Sequence, residues 1–190
     1  MKRENSGIKI IAGTHRGRTI SVPNIENLRP TPNRIRETLF NWLQQDLSNK
    51  ICLDLFAGSG ALGFEALSRN ATYVTMVEYN PIAIKNLHNI KTKFSIINLD
   101  IIRVDALIYL KNLTKAPDVL FLDPPYSSNL LQQSLDIIKN KSDIFINTVI
   151  YLEYQEKPNM HDFAVLKSGR AGSVQYALIQ PQKTSNHMIY

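Results

Sequence analysis

The sequence predicts an α/β fold: a mostly parallel β-sheet covered by helices on both faces, with an antiparallel hairpin at its C-terminal end. Three observations carry this expectation. After residue 46, short apolar runs alternate with amphipathic stretches in the order βαβαβαβα, the pattern of parallel strands joined by helical crossovers. Beyond Asn147 the alternation stops, and too few residues separate the last two strand-like runs for a helix. The first fifth of the chain is different in kind, being basic, rich in turn residues and followed by one amphipathic helix.

Ile8 to Ile11 and Arg18 to Val22 read as a two-stranded unit turned at Gly13 to Gly17. A helix begins near Thr31-Pro32, with Thr as its cap and Pro as its first residue, and Ile35, Leu39, Trp42 and Leu43 form its apolar face. Ile51 to Phe56 is a buried strand stopped by glycines, and Ala61 to Ser68 has helical spacing. Tyr73 to Glu78 is β-rich, and Pro81 opens a helix that turns Ile84, Leu87 and Ile90 to the core. Ile96 to Val104 is a strand, Ala106 to Leu113 a short helix, Val119 to Leu122 a strand and Leu130 to Ile138 a helix. Val149 to Tyr154, Ala164 to Lys167 and Gln175 to Ile179 are strands, the last two separated by Gly169 to Gly172. Residues 1–190 thus form one domain, with a basic extension over 1–46 and a core over 47–182.

Composition narrows the function. Hydrophobic residues are 44% and charged residues 20%, which excludes a disordered or fibrous chain. Charges interrupt every apolar stretch before membrane-span length, and the start, Met1 to Gly7, has no secretory pattern, so a cytoplasmic protein is expected. Cys52 is the sole cysteine and the four histidines are scattered, so no metal site is expected. Residues 1–36 hold eight Lys/Arg against two acids, which accounts for the whole net charge of +6. That concentration fits either a polyanion partner or a solvated face.

Between a strand and a helix lies Asp54-Leu-Phe56-Ala57-Gly58-Ser59-Gly60-Ala-Leu-Gly63. Its glycines permit a tight turn close to a ligand, and the helix start offers free N–H groups. Gly58-x-Gly60-x-x-Gly63 with Glu78 after the next strand matches the dinucleotide fingerprint. A structural turn without ligand gives the same pattern. Asp54, four residues before the first glycine, suits an ammonium group better than a pyrophosphate, which favours S-adenosylmethionine. Asp105 with Ala106 stands where an adenine edge is read. Glu78 and Asp105 also fit helix caps. Asp123-Pro124-Pro125-Tyr126 ends the fourth core strand and faces the same crevice. Its prolines fix an extended backbone with outward carbonyls; Asp123 adds a carboxylate and Tyr126 an aromatic face. Together they suit an exocyclic amino group and the base that carries it, while a rigid turn is the plain alternative.

These motifs resemble class I S-adenosylmethionine-dependent amino-group methyltransferases of nucleic acids. Three segments resemble the RsmD-type 16S rRNA (guanine-N2)-methyltransferases over nearly the whole chain: Ile10 to Arg18 (IIAGTHRGR), Leu28 to Trp42 (LRPTPNRIRETLFNW) and Leu53 to Arg69. Asn33 and Asn80 depart from that pattern, where the family commonly has acids. The resemblance implies a Rossmann-like class I fold with a seven-stranded sheet and methylation of the 2-amino group of a guanine in 16S rRNA. It implies S-adenosylmethionine as methyl donor without a metal, and a monomer acting on rRNA, within an assembling 30S subunit. The expected catalytic residues are Asp123, Pro124, Pro125 and Tyr126. The expected cofactor residues are Asp54, Phe56, Ala57, Gly58, Ser59, Gly60, Glu78, Asp105 and Ala106. Arg16, Arg18, Arg34 and Arg36 are expected on the RNA. The alternatives are an adenine-N6 DNA methyltransferase, for which 190 residues leave little room for a sequence-reading module, and a non-catalytic RNA-binding module.

Overall fold

The computed structural model describes residues 7–25, 31–125 and 128–183. Its centre is a seven-stranded sheet in the order β5-β4-β3-β6-β7-β9-β8. The strands are β3 (Ile51–Asp54), β4 (Tyr73–Glu78), β5 (Leu99–Arg103), β6 (Val119–Leu122), β7 (Val149–Tyr154), β8 (Phe163–Ala171) and β9 (Val174–Pro181). The first five pair in parallel; β9 lies antiparallel to both β7 and β8. The strand order reverses between β3 and β6, and open α/β sheets hold ligands at such a switch point, beyond the carboxyl ends of the strands.

Strand alternation divides the core by face. Cys52, Val74, Met76, Leu99, Phe121, Tyr151 and Leu178 point into one apolar cluster. It is closed by α1 (Asn33–Trp42), α2 (Ala61–Ser68), α3 (Pro81–Lys93) and the small hairpin β1 (Ile8–Lys9) and β2 (Thr19–Ile20). Leu53, Val77, Leu120, Leu122, Ile150 and Ala177 point the other way, under α4 (Ala106–Asn112), α5 (Leu130–Asn140) and α6 (Ser142–Phe145). Ile8, Ile10 and Ile20 share the first cluster with the sheet, so the basic extension packs into the core. Phe40 of α1 sits 6.1 Å from Phe121 of β6, and Trp42 lies 5.3 Å from Tyr176 of β9. Emptying a buried aromatic of this kind by Phe40→Ala costs about 3–5 kcal/mol.

The structure changes several local expectations. β1 and β2 pair over two residues each, because the loop between them closes on itself and on α2. Thr31 does not cap α1: Pro32 occupies that position without a side-chain hydrogen bond, and the Thr31 hydroxyl is used elsewhere. The final hairpin is longer than expected. β8 runs through Gly169 and Arg170 to Ala171, leaving Gly172 (φ 62°) and Ser173 as the turn. Gly169 belongs in the strand because a Cβ there would strike the Tyr176 ring at 2.7 Å. Helix α6 escaped the periodicity argument, being only four residues long. Among the described residues no helix is long and apolar enough to cross a membrane.

Candidate active site

The crevice opens where β3 ends. Gly58 (φ 52°) and Gly60 (φ 80°) hold the left-handed conformations that turn the chain into α2. Ala57 N–H donates to Val77 O at 2.9 Å, which ties the loop to β4. A Cβ on Gly60 would stand 2.6 Å from Leu87 and Phe64, and one on Gly63 would collide with Met76. Two of the three fingerprint glycines are therefore crowded by side chains of α2, α3 and β4, independently of any ligand. Ala57 and Ser59 are buried in the loop, while half-buried Phe56 packs toward the opposite face of the sheet.

Asp54 lies beneath this loop, and its Oδ2 accepts the Gly63 N–H at 3.0 Å. Burial pushes its carboxyl up to about 7; the Gly63 hydrogen bond opposes the shift and the Glu78 charge adds to it. Among the described residues no Lys or Arg forms an ion pair with Asp54. A buried acid in that condition fits a cationic ligand group. Half-buried Glu78 receives the Gly58 N–H on Oε2 and the N–H groups of Tyr79 and Asn80 on Oε1, each at 2.8 Å. The capping of α3 falls instead to Asn80, whose Oδ1 accepts from Ile82 at 2.8 Å. Asp105 does cap α4, accepting the Ile108 N–H at 2.9 Å, and Ala106 is buried beside it.

Asp123 follows β6, and the register that pairs Asp54 with Phe121 sets both acids at the carboxyl edge of neighbouring strands. The Thr31 hydroxyl donates to Asp123 Oδ2 at 3.2 Å, across 92 residues of sequence. Desolvation raises the Asp123 carboxyl well above the usual carboxylate range; Glu153 is the next cause, with Thr31 opposing and Asp54 adding. Pro124 is buried. Pro125 is exposed, and its carbonyl accepts from Ser128 N at 3.0 Å and Ser128 Oγ at 2.6 Å. Tyr126 lies outside the described residues.

The four arginines separate. Arg34 is exposed in the first turn of α1. Arg36 corrects the expectation of an RNA contact. Its side chain is 0% exposed, donating to Glu65 at 3.3 Å, Lys9 O at 2.9 Å and Asn33 Oδ1 at 2.6 Å. One residue after Ile35 it is buried with the core face of α1, where a guanidinium is tolerated because these acceptors meet it. Asn33, one of the departures from the family pattern, is thus an exposed acceptor for the Arg36 guanidinium. Arg16 and Arg18 are exposed, and the Arg18 guanidinium lies 5.1 Å above the Phe94 ring.

Their loop docks on the C-terminal end of α2: Thr14 N–H donates to Ser68 O at 2.7 Å and His15 N–H to Ser68 Oγ at 2.9 Å. Ser68 also donates to Ala12 O. The glycine loop lies at the other end of that helix, which spans about 12 Å. Arg16 and Arg18 therefore stand toward the edge of the sheet opposite Asp123.

Sequence reasoning missed Thr31 as a partner of Asp123, and it missed Glu65 and Glu153. The available signal was an acid inside an otherwise apolar stretch, in Leu62-Gly-Phe-Glu65-Ala-Leu and in Ile150-Tyr-Leu-Glu153-Tyr.

Comparison with known proteins agrees with this geometry. The family described as Conserved hypothetical protein 95 matches residues 8–180. Ribosomal RNA small subunit methyltransferase D of Buchnera aphidicola (from Acyrthosiphon pisum, strain APS) is 44% identical over 159 residues, 83% of each chain. The protein of that name from Escherichia coli K12 is 36% identical over 192 residues, 95% of each chain. The solved structure of yhhF from Escherichia coli, which carries the name of a methyltransferase, superposes with a TM-score of 0.83 at 34% identity. That superposition covers 93% of this chain and 99% of the other. The fold is that of the class I methyltransferases.

Proposed function

The chain belongs to the ribosomal RNA small subunit methyltransferase D family, and on that premise we propose that it methylates the 2-amino group of a guanine in 16S rRNA, with S-adenosylmethionine as donor. The observation that carries the reading is the placement of Asp123-Pro124 beside the glycine loop, across the switch point between β3 and β6.

The crevice suits the cofactor. Asp54 offers a buried, unpaired carboxylate for the ammonium of the amino-acid end. Glu78 would meet the ribose hydroxyls with lone pairs beyond those that hold the loop. Asp105 and Ala106 would edge the adenine, and Phe56 to Gly60 would supply backbone around the methionine portion. When bound, S-adenosylmethionine supplies an activated methyl group on a sulfonium, so the protein contributes alignment and electrostatics.

The guanine amino nitrogen is a poor nucleophile because its lone pair is delocalised into the ring. Thr31 occupies Oδ2 of Asp123, which leaves Oδ1 for one amino hydrogen; the Pro124 carbonyl takes the other. These two acceptors aim the lone pair at the methyl carbon. Tyr126 stacks on the base once it leaves its RNA context. Exposed Arg34 meets the phosphates near the target, and Arg16 and Arg18 hold RNA farther away. The proposed substrate is thus rRNA in an assembling small subunit.

The test is methyl transfer to 16S rRNA, followed by mass mapping of the modified nucleoside. Asp123→Ala should abolish turnover and leave S-adenosylmethionine affinity nearly unchanged. Tyr126→Phe should keep much of the rate that Tyr126→Ala loses. Methylation at an adenine, or at another guanine atom, would refute the assignment.

A further inference from the structure

Glu153 lies in β7, buried, although the strand around it is apolar. Parallel pairing of Leu122 with Leu152 makes Asp123 and Glu153 the next residues of adjacent strands, on the face that also carries Phe121 and Tyr151. The Tyr151 hydroxyl donates to Glu153 Oε1 at 2.8 Å. A hydroxyl donor on that oxygen stabilises negative charge there, and the Glu153 charge adds, after desolvation, to the raised proton affinity of Asp123. Asp54 on β3 is the other acid beside Asp123, and Thr31 supplies its hydroxyl donor. On β9 the residue paired with Glu153 is Tyr176.

We propose that Glu153 is a positioning residue for methyl transfer: its charge, held beside Asp123 by Tyr151, makes Asp123 the acceptor of the proton that leaves the guanine amino group. This rests on the guanine reading above and adds a residue to it. In the step, the N2 lone pair forms the N–C bond as the S–C bond breaks and its electron pair stays on sulfur. The nitrogen, now cationic, gives one proton to Asp123, which becomes a carboxylic acid, and the product amine is neutral. A second negative charge nearby raises the proton affinity of the aspartate toward the working pH, where a general base is most effective.

The test follows the Asp123 carboxyl directly by 13C NMR titration of the cofactor-free protein, the resonance being identified by its loss in Asp123→Asn. Glu153→Gln should lower the Asp123 midpoint by roughly one pH unit or more. The acid limb of the methylation rate should move down by the same amount, with S-adenosylmethionine affinity unchanged. Glu153→Asp, which keeps a charge but withdraws it, should fall between. If Glu153→Gln fails to fold, Tyr151→Phe should lower the midpoint in the same direction by less, since the shared proton then moves to Glu153. An Asp123 midpoint unmoved in a folded variant overturns the proposal and leaves the guanine reading intact. A moved midpoint in a protein that methylates no guanine overturns both.

Discussion

Two buried acids lie at helix α2, one within it and one beneath its start, and the protein treats them oppositely. Glu65, within the helix, is fully compensated: Arg36 and Arg69 at 3.3 and 2.9 Å, and the N–H groups of Ile11 and Ala12 at 2.8 and 3.1 Å, converge on its two oxygens. Asp54, beneath the N-terminal end, receives one N–H and faces a second acid. The first cluster meets both Glu65 oxygens inside the fold, with Arg36 Nε left without an acceptor, and serves to dock the basic loop on α2. The second is incomplete, and its raised proton affinity measures what a cationic ligand would relieve. Satisfied buried charge marks a structural joint here, and unsatisfied buried charge marks the site.

Breaking the joint should give the largest effect. Glu65→Gln leaves Arg36 and Arg69 buried beside a neutral amide, and loss of one partner from such a network costs about 3–5 kcal/mol. Urea unfolding should show that loss, and a shift in the midpoint without a change in slope would confirm that the folded state alone is affected. A variant as stable as the parent would mean that the joint is dispensable. Next in size is the crevice. Glu78→Ala removes the proposed ribose contact, about 1.5–3 kcal/mol for hydrogen bonds to a charged group. Calorimetry should show that loss in S-adenosylmethionine affinity while RNA binding is kept. The smallest change is at the surface. Arg16→Ala with Arg18→Ala should flatten the salt dependence of RNA binding by roughly one log unit of slope per lost contact. Removing Arg18 from the Phe94 ring should cost about 0.5–1 kcal/mol of stability. An unchanged slope would assign those charges to a solvated face.

The sheet was readable from the sequence because its signals are local. Val119 to Leu122 and Val149 to Tyr154 are apolar runs with sharp ends, and the structure keeps those bounds. So is the glycine loop, whose φ values and close helix packing follow from residues within one turn. The contacts that were missed join distant segments. Thr31 reaches Asp123 and Ile11 reaches Glu65 across 92 and 54 positions, and no periodicity encodes such a meeting. Arg36 shows the cost of reading charge as exposure. One residue from Arg34 in sequence is about 100° around a helix, so two residues carry it to the inward side.

Asp54, held by the Gly63 N–H, has no cationic partner among the described residues until a ligand brings one. Because its carboxyl is raised from the ordinary 3.8 to about 7, the cofactor-free protein binds more protons than the unfolded chain between those values, and its stability falls as pH rises through that window. Asp54→Asn should remove that fall. Calorimetric titration of S-adenosylmethionine at about pH 5.5 and about pH 7.5 tests the claim directly. Binding should be roughly tenfold or more tighter at the higher pH, with proton release at the lower one, and weak and nearly pH-independent in Asp54→Asn. Equal affinities at the two pH values, matched by Asp54→Asn, would contradict it.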